Sequence, residues 1–369
     1  MVEWKKLGDC LDFEQPTPYL VRSTEYDDSY DTPVLTAGQS LLLGYTNETD
    51  GIYKASKQNP CIIFDDFTTS FHWIDFDFKV KSSAMKMLRP KDSINFRYVY
   101  YAMLGINFVP GGHQRHWISK YSQFEIPVPS HSEQQRIVGI LDTFTSSIEN
   151  LKEQIAQRRK QYEYYCDQLL DLEGKEGVEM KKLKELSLVI TDGDHMPPPK
   201  TNTGIPFITI SNINKDSNDI DFRDTFYVPK EYYNQLKEEK KPVKGDVLYT
   251  VTGSYGIPVY LKTNRDFCFQ RHIGLIRIDS NLCLPKYCYY WLGSRSAKKQ
   301  AEGCASGGAQ KTVSLNSLRN FILPIISLSE QQRIVSILDT FEVSIRNMEQ
   351  QLTLCEKQYE YYRNKLLTF

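Results

Sequence analysis

The chain of 369 residues has almost no net charge, 45 Lys and Arg against 46 Asp and Glu, so its overall balance gives no argument for a nucleic-acid partner. No apolar run approaches the length of a membrane span, and the start, MVEWKKLGDC, has no signal-peptide pattern. The eight cysteines are scattered singly. Cys283 and Cys288 come closest, and no Cys-x-x-Cys or Cys/His cluster suggests a metal. Reduced, buried thiols in a cytoplasmic protein away from the membrane are therefore expected. Catalytic signatures are missing too. Thr250 to Gly256 is rich in Gly and hydroxyls but lacks G-x-x-x-x-G-K-S/T, which argues against a nucleotide cradle. Asn59-Pro60-Cys61-Ile62 lacks the second proline and the aromatic of the Asn-Pro-Pro-Tyr/Phe motif of amino-methyltransferases. No Gly-rich cofactor fingerprint precedes it, and no carboxylate pair with a lysine stands at nuclease spacing. No catalytic residue, metal ligand or bound cofactor is assigned.

What the chain does contain is one long segment twice. Ser132 to Leu172 and Ser329 to Phe369 align without a gap at a constant offset of 197, and 24 of their 41 positions are identical. Apolar residues follow 4-3 spacing: Ile137, Leu141, Phe144, Ile148, Leu151, Ile155, Tyr162, Tyr165, Leu169 and Leu172 in the first copy. Ile334, Leu338, Phe341, Ile345, Met348, Leu352, Cys355, Tyr359, Tyr362, Leu366 and Phe369 follow it in the second. So long and narrow a stripe predicts a coiled-coil seam. Ser132 and Ser329 are placed as N-caps, with Gln135 and Gln332 reaching back three residues. The nearest partner for either helix is the other copy. The chain path makes the two antiparallel, about 60 Å long at 1.5 Å per residue, with a globe at each end. Arg158 occupies the seam position that Cys355 takes in the second copy, a place where register can be set. Tyr164 and Tyr361 fall outside the seam and are candidates for docking a partner.

The segments before the two copies are less alike but share a frame. Val2 to Leu7 matches Val178 to Leu183, Gly111 to Arg115 matches Gly307 to Lys311, and Phe124 to Pro129 matches Phe321 to Ile326. The chain therefore divides into globe one (1–131), helix one (132–172), a linker (173–179) hinged at Gly174 to Gly177, globe two (180–328) and helix two (329–369). Strands are expected at Cys61 to Phe64, Ile205 to Ile210, Asp246 to Thr252 and His272 to Ile278, and helices at Asp92 to Leu104 and Pro285 to Gln300. The fold class is α+β, two similar α/β domains in a pseudo-two-fold internal repeat. Charge is unevenly shared. Residues 1–131 carry 13 basic and 16 acidic side chains, net −3, and residues 180–328 carry 21 and 14, net +7. The second globe has the charge expected for meeting phosphates; in the first a local patch must serve.

Several residues are candidates for contacting DNA. Gln114 and Arg115, and Gln310 and Lys311, follow Gly pairs where a backbone approaches a ligand closely. Thr252, Ser254 and Tyr255 lie in the Gly-rich loop after a strand. Arg271 and His272, and His195 in Asp192 to His195, form polar clusters beside apolar strands. The Lys237 to Lys241 run reads as a solvated surface or a phosphate contact.

Globe, helix, globe, helix resembles the specificity (S) subunit of type I restriction–modification enzymes over essentially the whole chain. The residues carrying the likeness are the Ser-Glu-Gln-Gln-Arg-Ile-Val helix starts, the Gly-Gly-x-Gln-Arg/Lys loops, Asp192 to His195, Gly204 to Phe207 and Lys244 to Leu248. Gly51 to Lys54 and Phe64 to Thr68 in the first globe add to it. The first Gly-rich loop, with His113 and His116, departs from the commoner small-residue pattern. The resemblance implies two target-recognition domains, held apart by a conserved antiparallel coiled coil, that bind double-stranded DNA. It implies docking of two methyltransferase subunits, and of restriction subunits where these exist. It also implies that S-adenosylmethionine, ATP and Mg2+ belong to the partners. Unlike globes facing DNA with opposite polarity would read an asymmetric, interrupted target, one half-site each. Two alternatives are a protein-binding scaffold with a coiled-coil spacer and a stand-alone DNA-modifying enzyme.

Overall fold

The computed structural model describes residues 2–36, 40–91, 94–112, 114–196, 198–308 and 310–369. The chain forms two compact units: residues 1–152 with 350–369, and residues 153–349.

Unit one runs through β1 (Glu3–Lys6), α1 (Leu7–Cys10), β2 (Leu11–Glu14), β3 (Thr32–Leu35), β4 (Leu42–Thr46), β5 (Cys61–Asp65), β6 (Phe71–Ile74), β7 (Lys79–Val80), β8 (Met85–Pro90), α2 (Phe96–Met103) and β9 (Glu125–Val128). The first part of helix α3 (His131–Leu170) follows. Strands β2-β8-β5-β6 make an antiparallel sheet, and β4-β3-β7 make a smaller one in which β3 and β7 are parallel. Strand β5 is buried throughout, and its alternation explains the layering. Ile62 and Phe64 pack with Tyr98, Tyr101 and Trp117 on the helical side, while Cys61 and Ile63 pack with Leu35 and Val80 of the small sheet.

Unit two repeats this order. It contains β10 (Glu179–Lys182), β11 (Ser187–Asp192), β12 (Ile205–Ile208), β13 (Ile213–Asn214), β14 (Asp219–Ile220), β15 (Phe226–Val228), α4 (Lys230–Gln235), β16 (Val247–Thr250), β17 (Pro258–Tyr260), β18 (Cys268–Phe269) and β19 (Ile273–Ile278). Then come α5 (Pro285–Leu292), α6 (Arg295–Cys304), α7 (Leu315–Arg319), β20 (Ile322–Ile325) and the first part of α8 (Leu328–Leu367). The sheets β11-β19-β16-β17 and β15-β12-β18 match those of unit one strand for strand, with the parallel pair now β12 and β18. The β13–β14 hairpin is inserted. In each unit the similar ends of the frame pair antiparallel: Glu3 with Val128, and Glu179 with Ile325.

A common joint fixes each globe to its helix. Buried Gln134 donates to the Pro129 carbonyl at 2.9 Å and accepts from the Asn95 amide at 3.0 Å. Gln331, at the offset of 197, does the same with the Ile326 carbonyl and the Leu284 amide, both at 2.8 Å. Tyr98 and Tyr287 donate to the carbonyls of Pro127 and Pro324, and the Tyr101 hydroxyl binds Asp142 as that of Tyr290 binds Asp339.

Three expectations are corrected. The helices start one residue before Ser132 and Ser329, and the caps are Ser130 and Ser327, whose oxygens accept from the amides of Glu133 and Glu330 at 3.4 and 3.3 Å. Gln135 and Gln332 do not reach back; they contact His131 and Ser336. The Ser-x-x-Glu pattern two residues upstream has the better geometry, because Pro127 to Pro129 deliver the chain directly to Ser130. The single helix expected over Pro285 to Gln300 is two. It breaks at Gly293, and Ser294 caps α6 by accepting from the Ala297 amide. The helix expected from Asp92 begins at Phe96; Asp92 itself lies outside the described residues.

The seam is antiparallel in each unit. Phe144 stacks on Tyr362 at 5.4 Å and Lys152 pairs with Glu356 in unit one. In unit two Tyr165 packs on Phe341 at 5.3 Å, Arg158 lies over the same ring, and Arg159 pairs with Glu349. Leu172 and Phe369 lie beyond the helix ends.

Candidate nucleic-acid interface and docking surface

In unit two, β11 and β16 end where β19 begins, so three connections emerge at one end of the large sheet. Gly193 leaves β11 so close to the next chain that a Cβ there would stand 1.9 Å from the Phe269 carbonyl oxygen, and only glycine fits. The turn is then held by Asp194, whose amide donates to Phe269 O at 2.9 Å and whose carbonyl accepts from the Arg271 amide at 3.1 Å. Tyr232 donates its hydroxyl to the Asp194 carboxylate at 2.7 Å. This arrangement presents His195 and Arg271 to solvent, with His195 Nε2 at 2.7 Å from Asp192.

The Gly-rich loop after β16 is pinned to its neighbours on both sides. The Val251 amide donates to the His272 carbonyl, Gly253 N donates to Lys311 O at 3.0 Å, and Val313 N donates to Val251 O. Gly307 permits the second loop: its φ is +118° and a Cβ would meet Gln310 O at 2.6 Å. The candidates Thr252, Ser254, Tyr255, Arg271, His272, Gln310 and Lys311 thus share one sheet end with His195. Ser254, Arg271, Gln310 and Lys311 are exposed, and Tyr255 and His272 are half-buried. Thr252 is 8% exposed and meets the Thr312 hydroxyl, tying the two loops together. Burial and the Arg271 charge lower the His272 pKa, so the ring is neutral near neutral pH. Lys240 folds back to the Gly193 carbonyl at 3.2 Å and Lys241 pairs with Glu238.

Unit one builds the same end from other residues. The β5–β6 turn is closed by Asp65, which accepts from the amides of Phe67 and Thr68. Asp66 holds the Gly-rich loop: its carbonyl accepts from His116 N and its carboxylate from Trp117 N, both at 2.8 Å. Buried Lys86 completes the anchor, 3.3 Å from Asp66 and 2.9 Å from Gln15. Gln114 and Arg115 project from this anchored loop and are exposed; His113 and, in unit two, Ala309 lie outside the described residues. Sequence reasoning missed Lys86 and Tyr232, and it found Asp66 and Asp194 only as members of their motifs, not as anchors, because the partners are distant in sequence. Among the described residues no group of three or more His, Cys, Asp or Glu side chains could hold a metal, and no helix is long and apolar enough to cross a membrane.

Tyr164 and Tyr361 are 61% and 59% exposed. They belong to a wider set that is both exposed and identical between the copies. Unit one has Thr143 and Asn150 of α3 with Gln358 and Tyr361 of α8; unit two has Thr340 and Asn347 of α8 with Gln161 and Tyr164 of α3. Core packing does not require identity at solvated positions. Each unit assembles the same surface set from opposite halves of the two helices.

Two units of one topology, with different loops on the same sheet end and the same residues on their helices, define a duplicated recognition scaffold. The profile of the type I restriction modification DNA specificity domain family matches residues 1–158 and 175–356, and the chain belongs to that family. It is 39% identical to the specificity subunit of the type I restriction enzyme EcoR124I/EcoR124II of Escherichia coli, over 100% of this chain and 94% of the relative. It is 28% identical to a putative type I restriction enzyme specificity subunit of Haemophilus influenzae, over 100% and 96%. Among solved structures, the type I restriction–modification S subunit from M. genitalium superposes with a TM-score of 0.66 at 15% identity, covering 100% of this chain and 96% of that one.

Proposed function

We propose that this chain is a non-catalytic DNA-specificity subunit that reads an asymmetric, interrupted target, one half-site per unit, and docks the methyltransferase subunits that modify it. One observation carries the reading: the same sheet end in both units bears Gly-rich loops anchored alike, with Gln114 and Arg115 on one and Gln310 and Lys311 on the other, while the connection beside them differs, Lys81-Ser82-Ser83-Ala84 before β8 against Gln270-Arg271-His272 before β19. A shared scaffold gives each loop the same approach to a duplex, and the unlike side chains give unlike half-sites. S-adenosylmethionine, and ATP with Mg2+ where restriction subunits join, are supplied by partners. The repeated exposed set, Tyr164 and Tyr361 included, supports two docking places for copies of one partner. The net +7 of residues 180–328 supports phosphate contact by unit two.

The test is methylome sequencing of cells expressing the chain and its genomically adjacent methyltransferase, each alone and together. A new bipartite adenine motif only when both are present is the expected result; a soluble complex that leaves no motif would sink the reading. Exchanging residues 180–328 for those of another family member is expected to change one half-motif and leave the other.

A further inference from the structure

Unit two contains a cavity of about 650 Å3 where α3, α5 and α8 meet the β13–β14 turn. Its floor is aromatic and acidic, formed by Tyr162, Cys166, Tyr289, Tyr290 and Glu342. Tyr289 donates to Glu342 at 2.9 Å. Burial first, then Cys166 and Glu342, drive the Tyr162 phenol far above its ordinary range, and burial with Glu342 raises Tyr289 and Tyr290. Cations also line the cavity, but at its exposed rim. Arg159 pairs with Glu349 at 2.6 Å and Lys262 with Asp219 at 3.1 Å, while Arg295, Lys298 and Arg346 point to solvent. Among the described residues no cation pairs with Glu342.

Unit one shows how the same arrangement is completed. Tyr100 and Tyr101 of α2 correspond to Tyr289 and Tyr290 of α5, and Tyr359 stands 197 residues from Tyr162. At that offset the carboxylate position is Thr145 and the thiol position is Arg363. Arg363 lies over Tyr359 at 5.8 Å, and Arg97 lies over Tyr100 and Tyr101 at 5.2 and 5.0 Å. Burial raises Tyr359, and Arg363 beside it pulls the other way. One unit therefore tops its aromatic cluster with its own guanidinium. The other keeps a cation at the Arg97 position, where the Lys286 ammonium lies 5.9 Å from the Tyr290 ring and pairs with Asp339, but at the Arg363 position it has a small thiol, with a carboxylate and open volume beside it.

We propose that the unit-two cavity receives an arginine side chain from a protein partner, its guanidinium set against Tyr162 and Tyr289 and bound by Glu342. Aromatic faces with a half-buried carboxylate favour a planar, weakly hydrated guanidinium over an ammonium. The cavity is bounded by Arg159 and Glu163 of α3 and by Ile345, Arg346 and Glu349 of α8. These flank Gln161, Tyr164 and Asn347 of the repeated exposed set, so a chain seated on that set reaches it; to this extent the inference rests on the proposed docking. It makes two copies of one partner bind the two units unequally.

The probe is N-acetyl-L-arginine amide, titrated into the full chain and followed by tyrosine-ring NMR, with neutral N-acetyl-L-citrulline amide as control. The arginine amide is expected to shift the Tyr162 and Tyr289 rings and the citrulline amide to leave them. Glu342→Gln should weaken binding about tenfold, the scale of one charge-assisted hydrogen bond. Cys166→Arg, which installs the unit-one solution, should abolish binding with its thermal midpoint kept. In a second arm, Cys166→Arg co-expressed with the adjacent methyltransferase should hold one copy more weakly than wild type. Equal response to citrulline, unchanged binding by Cys166→Arg, or no ring shift at all overturns the site. Arginine binding with unaltered assembly of Cys166→Arg overturns the protein source. A wild-type chain that captures no methyltransferase sinks the docking reading and the protein source together, while the titration still decides the cavity.

Discussion

Gln134 and Gln331 each satisfy a backbone amide and a backbone carbonyl in the interior of a joint, and each is 2% exposed or less. Replacing either by alanine leaves both backbone groups without a partner. At about 1–3 kcal/mol for each unsatisfied group, Gln134→Ala should lower the stability of unit one, and Gln331→Ala that of unit two, by about 2–6 kcal/mol in denaturant unfolding. The contrasting case is Lys311, which is exposed: Lys311→Ala should leave stability unchanged and reduce the slope of log affinity for DNA against log salt by about one. Lys311 and Arg115 were legible because each follows a Gly pair. The residues that anchor those loops were not. Asp66 meets Trp117 and Lys86 at the Arg115 loop, and Thr252 meets Thr312 at the Lys311 loop; pairs so distant in sequence leave no periodicity.

Among the elements, the repeated helices were the most legible, because a 4-3 stripe over several heptads and an internal copy both point to the same object. Their starts were misplaced. Two Ser residues stand two apart, and the Gln pair after the second resembles a capping box as closely as the Glu after the first. The structure separates them, so Ser327→Ala should cost about 1 kcal/mol in unfolding free energy, while Ser329→Ala stays within about 0.5 kcal/mol of wild type. An equal effect at both would mean that the cap is shared. The break between α5 and α6 was hidden because aromatic and basic residues run through Gly293 without a change of pattern. The Gly293-Ser294 pair, a helix end followed by a cap, is the local sign of it.

For the whole molecule, the shared fold of the two globes could be read from their matching first and last strands, which pair with each other in each unit. The interiors could not be aligned by eye, since the β13–β14 hairpin and α4 are inserted before the strands realign. Both interiors bury acids of weak strength. Burial pushes Cys10 up to about 11 and Cys61 and Cys268 up to about 12, from 9.0, and raises Tyr98, Tyr101 and Tyr121. The unfolded chain releases these protons first. Stability should therefore be full below about pH 9 and be lost as pH rises through 9 to 12, measured as a falling thermal midpoint. A midpoint flat to pH 11 would contradict the burial described. The division of the chain also has a consequence for its synthesis. Residues 153–349 form a contiguous unit, whereas residues 1–152 are completed by 350–369, with Tyr359, Leu366 and Leu367 packed against their core. On the ribosome residues 1–152 must wait for residues 350–369, and the unit between them can close first. A chain truncated after Glu349 and released would carry a finished second unit and a first one still showing its apolar flank to chaperones and proteases.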